Sequence, residues 1–394
     1  MAGVANAGYE PRMTLTAPEI SGLCPPRFDA VKDAFARNFT DAPEGLNEQA
    51  ARFSVVVEGE TVVDLWAGSA DPRQHTPFTD RTLVPVFSTG KAVMALLMAS
   101  AVQRGKLAYE EKVASLWPAF GASGKDTVTV AQMLSHQDGL PGFSESADPA
   151  IWFDQRAVLD RLAAQVPMWP PGSASGYHPV TVGYLANEVH RLADGRSLGQ
   201  ALREDFAGPF GLDLWIGLPG SEHARVAVLR KPSAAASLGP VDAIKTAAFL
   251  DKGSAPGGRG SAEWRTIEIP SANLHGTALD LARIMGLVAN GGGLGGRTVL
   301  SPDVLAQATK ERIHGQDLVL PYVISWAAGL MRNAGLDIFG PNPDALGHCG
   351  WGGSCAFADP SARLSAAYVM TRQSPHLIGD PRAQRLIDAL YAAL

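Results

Sequence analysis

The chain has 394 residues, of which 46% are hydrophobic and 18% are charged, and its formal net charge at pH 7 is −6. This length and composition predict a globular protein with a large core and exclude an intrinsically disordered chain. Neither a nucleic acid nor a membrane is expected as a partner, because no basic stripe is present and the longest apolar run, around 92–102, is too short to span a bilayer.

The N-terminal segment and the cysteines favour a reducing compartment. Residues 1–11 lack the basic start and the apolar centre of a secretory signal, so we expect a cytoplasmic protein. The three cysteines are odd in number, and we interpret Cys349 and Cys355 as small core residues. No histidine pair has the spacing of zinc ligands, and nothing in the sequence specifies the oligomeric state.

Strand patterns lie near both ends of the chain, and most helix patterns lie between them. Two strands are predicted near the start, at 53–57 and 61–66. Near the end, two strands are predicted at 354–358 and 364–371, followed by a helix at 380–394. Helices are predicted in the middle, at 129–136 and 277–290 with threonine caps, at 181–193 with its end near Gly195, and from Ser301-Pro302 onward. This order predicts an α+β fold in which an antiparallel sheet is built from both termini and flanked by helices, with a mostly helical insertion.

The most informative segment is Ser88-Thr89-Gly90-Lys91, which begins an apolar run that predicts a buried helix. A serine and a lysine three residues apart at the start of a helix lie on one face, within reach of each other. Serine becomes a nucleophile when a base removes its proton, and a lysine with a lowered pKa can act as that base. A lysine at the first turn of a buried helix also requires a partner or a function.

Two later segments carry further candidate residues. Tyr177 directly follows a Pro/Gly-rich loop, and its phenol pKa of about 10 lies near that of lysine, so the two groups can share a proton. The segment 347–354 contains four glycines in eight residues and precedes a predicted strand. Backbone N–H groups in such a turn can approach a ligand closely and form an oxyanion hole.

Together these three motifs resemble the serine β-lactamase and penicillin-binding-protein superfamily, and within it class C β-lactamases and, more closely, family VIII carboxylesterases. The resemblance extends from about residue 25 to the C-terminus and implies a β-lactamase/transpeptidase-like fold without a cofactor or a metal. It implies one domain over 1–394 with two parts. We expect an α/β part at about 1–105, 175–215 and 275–394. We expect a helical cap at about 106–174 and 216–274.

The resemblance also implies roles for individual residues. Ser88 is expected to be the nucleophile, Lys91 and Tyr177 the proton-transfer network, and the N–H groups of Ser88 and Ser354 the oxyanion hole. We favour Tyr177 as the immediate base and Lys91 as its electrostatic partner, because a shared role requires a smaller fall in the lysine pKa. His136, which ends a predicted helix, is interpreted as a structural residue.

The third motif departs from the Lys-Thr-Gly triplet of β-lactamases, and two registers are possible. In the favoured one Trp351-Gly352-Gly353 occupies the place of the triplet, so that these residues contact the substrate and Ser354 begins the next strand. In the alternative, His348-Cys349-Gly350 occupies that place, His348 contacts the substrate and Trp351 donates the oxyanion N–H. The favoured register replaces the lysine by an apolar wall, which suits a neutral ester better than an anionic lactam.

These observations predict a carboxylesterase that hydrolyses small, neutral, short-chain esters through an acyl-enzyme. Trp351, with Trp152 or Trp169, is expected to shape an apolar acyl pocket. Alternatives with the same chemistry are a β-lactamase, a D-aminopeptidase or another amide hydrolase, and an acyltransferase. An alternative of another class is a catalytically silent penicillin-recognising module. An α/β-hydrolase is not expected, because the chain has no Gly-x-Ser-x-Gly motif.

Overall fold

A computed structural model describes residues 16–394 of the protein. Its strands, numbered in chain order, are Ser21–Leu23 (β1), Ala50–Val57 (β2), Glu60–Asp71 (β3), Thr76–Pro77 (β4), Val84–Pro85 (β5), Leu214–Trp215 (β6), His275–Gly276 (β7), Gly293–Leu294 (β8), Arg297–Thr298 (β9), Ile313–Gln316 (β10), Val323–Trp326 (β11), Met331–Arg332 (β12), Leu346–Cys349 (β13), Cys355–Asp359 (β14) and Leu364–Met370 (β15).

The α-helices alternate with short 3-10 and π-helical turns along the described residues. They are Asp29–Thr40 (α1), Gly90–Gln103 (α2), Val113–Leu116 (α3), Val130–Leu134 (α4), Gln155–Ala164 (α5), Thr181–Asp194 (α6), Leu198–Ala201 (α7), Gly208–Phe210 (α8), Ala243–Lys245 (α9), Ala262–Thr266 (α10), Ala278–Ala289 (α11), Pro302–Thr309 (α12) and Pro381–Ala393 (α13).

The main sheet joins the two ends of the chain, as the sequence predicts. Its order is β1-β3-β2-β15-β14-β13-β12-β11-β10, with β4 beside β3, and every neighbouring pair is antiparallel. The central pairing is that of β2 with β15, so the predicted hairpins from opposite ends of the chain meet there. The strands β10 to β12 were not predicted, because segments of two to four residues are too short to show a period.

Helices cover both faces of this sheet. Along β14, the side chains of Ala356 and Ala358 pack on one face into the cluster that contains α2 and α11. Phe357, between them, packs on the opposite face with residues of α1 and α13. Because successive side chains of a strand point to opposite faces, a strand that is buried throughout requires cover on both sides. The sheet is therefore the central layer of a three-layer arrangement.

The predicted helix caps at Thr129, Thr277 and Asp380 are confirmed. Thr129 and Gln132 form a capping box at the start of α4, and Thr277 accepts a hydrogen bond from the N–H of Asp280 at the start of α11. Asp380 caps α13, where Pro381 occupies the first turn. A cap satisfies backbone N–H groups that have no partner inside the helix, which explains why these residues mark helix starts so reliably.

The helix that follows the Ser-x-x-Lys motif is buried along most of its length. Residues 90–101 of α2 are all buried, and the helix ends before Gly105, which has a positive φ of 66°. Within residues 16–394, no helix is both long and apolar enough to cross a membrane. The helix α6 packs against α2, α4 and α5, so it contacts both predicted parts of the domain. The division into an α/β part and a cap stays a prediction, and residues 1–15 lie outside the described residues.

A buried charge cluster anchors the start of α13 to the rest of the fold. Arg382 is fully buried, and its guanidinium donates to Asp380 at 2.8 Å and faces Glu48 at 2.9 Å. It also donates to the carbonyl oxygens of Arg372 at 2.9 Å and Gly352 at 3.3 Å. The cluster therefore ties α13 to the glycine-rich turn between β13 and β14.

One of the two carboxylates in this cluster is held in its neutral form. Burial raises the pKa of Glu48 to about 8, against the attraction of Arg382. Asp380 already balances the charge of Arg382, and the Tyr368 hydroxyl donates to Glu48. A protonated Glu48 therefore leaves a neutral ion pair in the protein interior, where an unbalanced charge is costly.

We predict that the free energy of unfolding falls as the pH rises from about 5 to about 8. The folded protein keeps the Glu48 proton up to about pH 8, whereas the unfolded chain releases it near the ordinary pKa of 4.5. Each pH unit in this window costs about 1.4 kcal/mol. Denaturant titrations of Glu48→Gln at several pH values should show a smaller dependence of the unfolding free energy on pH. Glu58→Gln, at an exposed ion pair with Arg363, should retain the wild-type slope. Equal slopes in all three proteins would contradict the prediction.

Candidate active site

Ser88 lies in a tight turn at the N-terminal end of α2. The turn is a 3-10 helix over Phe87–Thr89, and Phe87 has a positive φ of 49°. A bulky residue rarely adopts this left-handed conformation, and such strain is typical of functional turns. The Ser88 side chain lines a cavity, whereas Thr89, the next residue, is fully buried.

Lys91 is fully buried beneath Ser88 and uses every donor of its side chain. Its Nζ lies 3.0 Å from Ser88 Oγ, 2.8 Å from the carbonyl oxygen of Pro179 and 2.9 Å from that of Ser271. Burial lowers the pKa of Lys91 well below its ordinary value, and among the described residues no carboxylate opposes this effect. A neutral amine can donate to the two carbonyl groups and direct its lone pair at Ser88 Oγ.

Tyr177 packs beside these two residues in an aromatic cluster. Lys91 Nζ lies 4.7 Å from the centre of the Tyr177 ring, which stacks nearly parallel on Trp326 at 5.9 Å. The backbone N–H of Tyr177 donates to Asp317 at 2.9 Å, which fixes the end of the Pro/Gly-rich loop. Burial raises the pKa of Tyr177, and the influence of the Ser88 hydroxyl opposes this only in part. Tyr177 is therefore a neutral phenol at neutral pH.

The residue after Tyr177 is His178, which is buried and paired with Asp138. His178 Nε2 contacts Asp138, and its Nδ1 lies 2.5 Å from the carbonyl oxygen of Gly176. The backbone N–H of His178 donates to Nδ1 of His136 at 3.3 Å, and the His136 ring packs against Tyr177 at 5.1 Å. These contacts agree with the structural role predicted for His136, whose pKa burial lowers well below the ordinary value.

The glycine-rich turn between β13 and β14 packs directly against the turn that carries Ser88. A side chain on Gly350 would clash with the Val86 carbonyl and with Thr89 Oγ1, so this position admits only glycine. Ser354 Oγ donates to the Val86 carbonyl at 3.0 Å and is 2.9 Å from Thr89 Oγ1. The two turns are therefore held together by contacts on both sides of Ser88.

A cavity of about 180 Å³, open to solvent, lies in front of Ser88. Its polar lining includes Tyr177 and His348, and Arg259 is the one charged side chain among the described residues that line it. Burial lowers the pKa of His348 to about 3, so this ring is neutral. The remaining walls are largely apolar and include Phe87, Leu238, Phe249, Trp264, Met331 and Trp351.

The structure brings together most of the predicted site residues but places three of them elsewhere. Gly352, Gly353 and Ser354 do not line the cavity. Gly352 packs on Gln373, and Gly353 packs on the Asp380 cluster. Ser354 lies behind the nucleophile turn. His348 and Trp351 do line the cavity, so the geometry favours the alternative register, with His348-Cys349-Gly350 in the place of the β-lactamase triplet.

The pocket tryptophans also differ from the prediction. Trp152 is a core residue that stacks on Phe143 at 4.7 Å and donates to the Gly253 carbonyl at 2.8 Å. Trp169 donates to the Ala174 carbonyl at 3.1 Å within its own loop. Neither lines the cavity, whereas Trp264 and Trp351 do. The hypothesis on Trp152 and Trp169 was wrong because composition alone does not tell a core tryptophan from one in a cleft.

Several residues of the site carried no signal in the sequence. The carbonyl groups of Pro179 and Ser271 that receive the Lys91 hydrogen bonds are 88 and 180 residues away from it. Asp317 and Trp326, which position Tyr177, lie in and beside short strands without a recognisable motif. Residues 16–394 contain no group of three or more His, Cys, Asp or Glu side chains arranged to hold a metal ion.

Comparisons with known proteins agree with this fold. A family model described as Beta-lactamase matches residues 35–391. The chain is 33% identical over 368 residues to the esterase/beta-lactamase LipL of Mycobacterium tuberculosis, an alignment that covers 90% of this chain and 83% of that protein.

Two solved structures are similar over the full fold. A novel penicillin-binding protein homolog from Caulobacter crescentus is 55% identical with a TM-score of 0.92, covering 95% of this chain and 100% of that one. A family VIII carboxylesterase is 40% identical with a TM-score of 0.88, with the same coverage. These matches confirm the predicted resemblance to family VIII carboxylesterases and the β-lactamase/transpeptidase-like fold. The chain therefore belongs to the beta-lactamase family.

Proposed function

We propose that this protein is a carboxylesterase of the serine hydrolase type, which hydrolyses esters with a short apolar acyl group through a Ser88 acyl-enzyme. The observation that carries the proposal is the contact of 3.0 Å between Ser88 Oγ and the buried Lys91 amine, at the floor of a largely apolar cavity. The names of an esterase/beta-lactamase and a family VIII carboxylesterase among the relatives support the same reaction.

The pKa directions support Lys91, rather than Tyr177, as the base that activates Ser88. The pKa of Lys91 is lowered by burial, so the amine is available to accept a proton at neutral pH. The pKa of Tyr177 is raised by burial, so its phenol retains its proton and cannot act as a base there. This proposed division of roles differs from the sequence-based prediction, in which Tyr177 is the immediate base and which stays a prediction.

The reaction then proceeds in two balanced steps. Ser88 Oγ forms a bond to the acyl carbon while its proton passes to Lys91, and the bond from the acyl carbon to the leaving oxygen breaks as that oxygen takes up a proton from the Tyr177 and Lys91 pair. A water molecule next attacks the acyl carbon and gives its proton to Lys91. The bond to Ser88 Oγ breaks, and the proton returns to Ser88.

The N–H groups of Ser88 and Trp351 are the proposed oxyanion hole. Both residues line the cavity, whereas Ser354, the partner predicted from the sequence, does not. Gly350 supports this assignment because its close packing on Val86 brings the backbone of the following residue near the nucleophile turn. Two preorganised backbone donors aimed at the developing oxyanion typically supply the largest electrostatic contribution to acyl transfer.

An ester with a neutral acyl group suits this cavity better than a β-lactam. His348 stands where the β-lactamase triplet has its lysine, and its neutral ring offers no charge to a lactam carboxylate. The apolar walls instead favour a hydrocarbon acyl chain, which gains about 0.8 kcal/mol for each buried methylene group. β-Lactam hydrolysis is the second candidate, because the relative LipL is named for both activities.

Substitution of the nucleophile tests the reaction class. We expect Ser88→Ala to abolish turnover of p-nitrophenyl acetate and butyrate, since within residues 16–394 Ser88 supplies the hydroxyl that is hydrogen-bonded to the Lys91 amine. Absorbance at the p-nitrophenolate band measures turnover, and circular dichroism checks the fold. Ser100→Ala, at the other end of α2, is the matched control. Retained turnover in Ser88→Ala would reject the acyl-enzyme, and faster hydrolysis of a chromogenic cephalosporin than of the esters would favour the β-lactamase alternative.

The pH dependence of kcat/KM tests the assignment of the base. Because burial lowers the pKa of Lys91, activity should be constant through neutral pH and fall only on the acidic side, where the amine becomes protonated. Lys91→Met and Tyr177→Phe should each lower kcat by about a thousandfold. Lys125→Met removes another buried lysine, which donates to two backbone carbonyl groups and lies 5.8 Å from the centre of the Phe120 ring, so it controls for lost packing. A kcat/KM that already falls as the pH is lowered below about 9 would contradict a neutral Lys91.

The contact between the two turns gives a further prediction. Ser354→Ala removes the hydrogen bonds to the Val86 carbonyl and Thr89, each worth about 1 kcal/mol, and loosens the turns on both sides of the nucleophile. We expect kcat to fall about tenfold with little change in KM. Ser361→Ala, on the exposed turn between β14 and β15, should leave both constants unchanged. Wild-type kcat in Ser354→Ala would show that this contact does not position the site.

A further inference from the structure

A second groove adjoins the cavity in front of Ser88 and has a different chemical character. It has a volume of about 680 Å³ and is also open to solvent. Within residues 16–394, its lining contains four basic side chains and no acidic one, and the four are Arg73, Lys231, Arg259 and Arg265. This is notable in a chain whose formal net charge is −6, because a random surface patch would be expected to contain more acids than bases.

Most of these basic groups lack a carboxylate partner among the described residues. Lys231 and Arg259 are exposed and take part in no side-chain hydrogen bond or ion pair within residues 16–394. Arg265 is half-buried and donates to the carbonyl oxygen of His223 at 3.2 Å, while its Nε is buried without a partner in this part of the chain. Arg73 is largely exposed and has one distant carboxylate contact, with Asp71 at 3.5 Å.

The basic groove and the cavity are continuous, because they share part of their walls. Phe87, Trp264, Trp351 and Arg259 line both. The rings of Phe87 and Trp264 lie 6.1 Å apart, and Phe87 directly precedes the nucleophile. An ester bound at Ser88 can therefore place its acyl group in the apolar cavity and its leaving group in the basic groove.

We propose that the natural substrate is an ester whose leaving group carries an anionic group, a carboxylate or a phosphate, that the basic groove binds. The proposal rests on the proposed esterase function and deepens it: the acyl group stays neutral and apolar, and the negative charge lies on the released alcohol. Arg259 is assigned the central role because it is the charged side chain common to the cavity and the groove. A guanidinium suits this task, since its planar donors match the geometry of a carboxylate or a phosphate.

Three butyrate esters that differ mainly in the charge of the leaving group test the proposal. They are 4-butyryloxybenzoate, its neutral methyl ester, and 3-butyryloxy-N,N,N-trimethylanilinium, each followed by chromatography of the released phenol. We expect wild-type kcat/KM to be about tenfold higher for the anion than for the neutral ester at low salt, the effect of two or three exposed charge contacts. The preference should shrink as sodium chloride is added, because salt screens exposed charges.

Substitutions in the groove should change this preference and not merely the rate. Arg259→Gln and Lys231→Gln should each lower the ratio of anionic to neutral kcat/KM about threefold. Arg259→Glu should shift the preference toward the cationic ester, an inversion that a general loss of structure cannot produce. Arg37→Gln, on α1 and outside both cavities, is the control and should retain the wild-type ratio.

Binding separates a failure of this inference from a failure of the esterase proposal. Calorimetric titration of Ser88→Ala with the anionic and the neutral ester measures the charge preference without turnover. The groove would be supported, even if wild-type turnover were absent, by two results together. Ser88→Ala would bind the anionic ester more tightly than the neutral one, and this difference would become smaller in the double variant Ser88→Ala with Arg259→Gln. Equal affinities and equal kcat/KM for all three esters would overturn the inference. Competition by benzoate and by phenyl phosphate then distinguishes the two anionic groups.

Discussion

The burial of one lysine is the constraint on which the site depends. An ammonium group with no access to water loses its hydration, and no carboxylate within residues 16–394 compensates for this at Lys91. The protein instead surrounds the amine with two carbonyl groups and one hydroxyl, from Pro179, Ser271 and Ser88. The same arrangement that satisfies the neutral amine directs its lone pair at the serine. Stability of the buried helix α2 and the proposed activation of the nucleophile therefore have one physical cause.

The remaining architecture keeps the backbone around this amine in place. The turn that carries Ser88 contains a strained Phe87, which persists only if its surroundings fix it. Ser354, from the glycine-rich turn, forms hydrogen bonds with Val86 and Thr89 of the Ser88 turn. Arg382 in turn fixes the glycine-rich turn by donating to the Gly352 carbonyl. The charge cluster at the start of α13 is far from the nucleophile in sequence, yet it supports the turn that forms the wall of the cavity. Its neutral carboxyl group shows the same principle as Lys91: burial selects the uncharged form.

Charge is distributed unevenly around the site, and this distribution is the physical basis of the proposed selectivity. The walls nearest Ser88 carry almost no charge, so they suit the apolar acyl group of the proposed substrate. The adjoining groove presents basic groups without acids. A polar group without a partner in the free protein is available to a ligand, whereas the many paired arginines elsewhere, such as Arg196 with Asp205, are not. The lost lysine of the β-lactamase triplet and the basic groove together place the expected negative charge on the other side of the scissile bond.

The sequence by itself determined the features that depend on neighbouring residues. Helix caps, the hairpins and the spacing of Ser88 and Lys91 are local, since each is set by residues within a few positions of one another. Their order also identified the fold, and the structure confirms an antiparallel sheet built from both ends of the chain. The sequence could not decide between the triplets His348-Cys349-Gly350 and Trp351-Gly352-Gly353, because both contain glycine in the same local pattern. The packing of Gly350 on Val86 favours His348-Cys349-Gly350. In the same way, only tertiary structure brings the carbonyl groups of Pro179 and Ser271 to Lys91, and Lys231, Arg259 and Arg265 into one groove, because these contacts join segments that have no common motif.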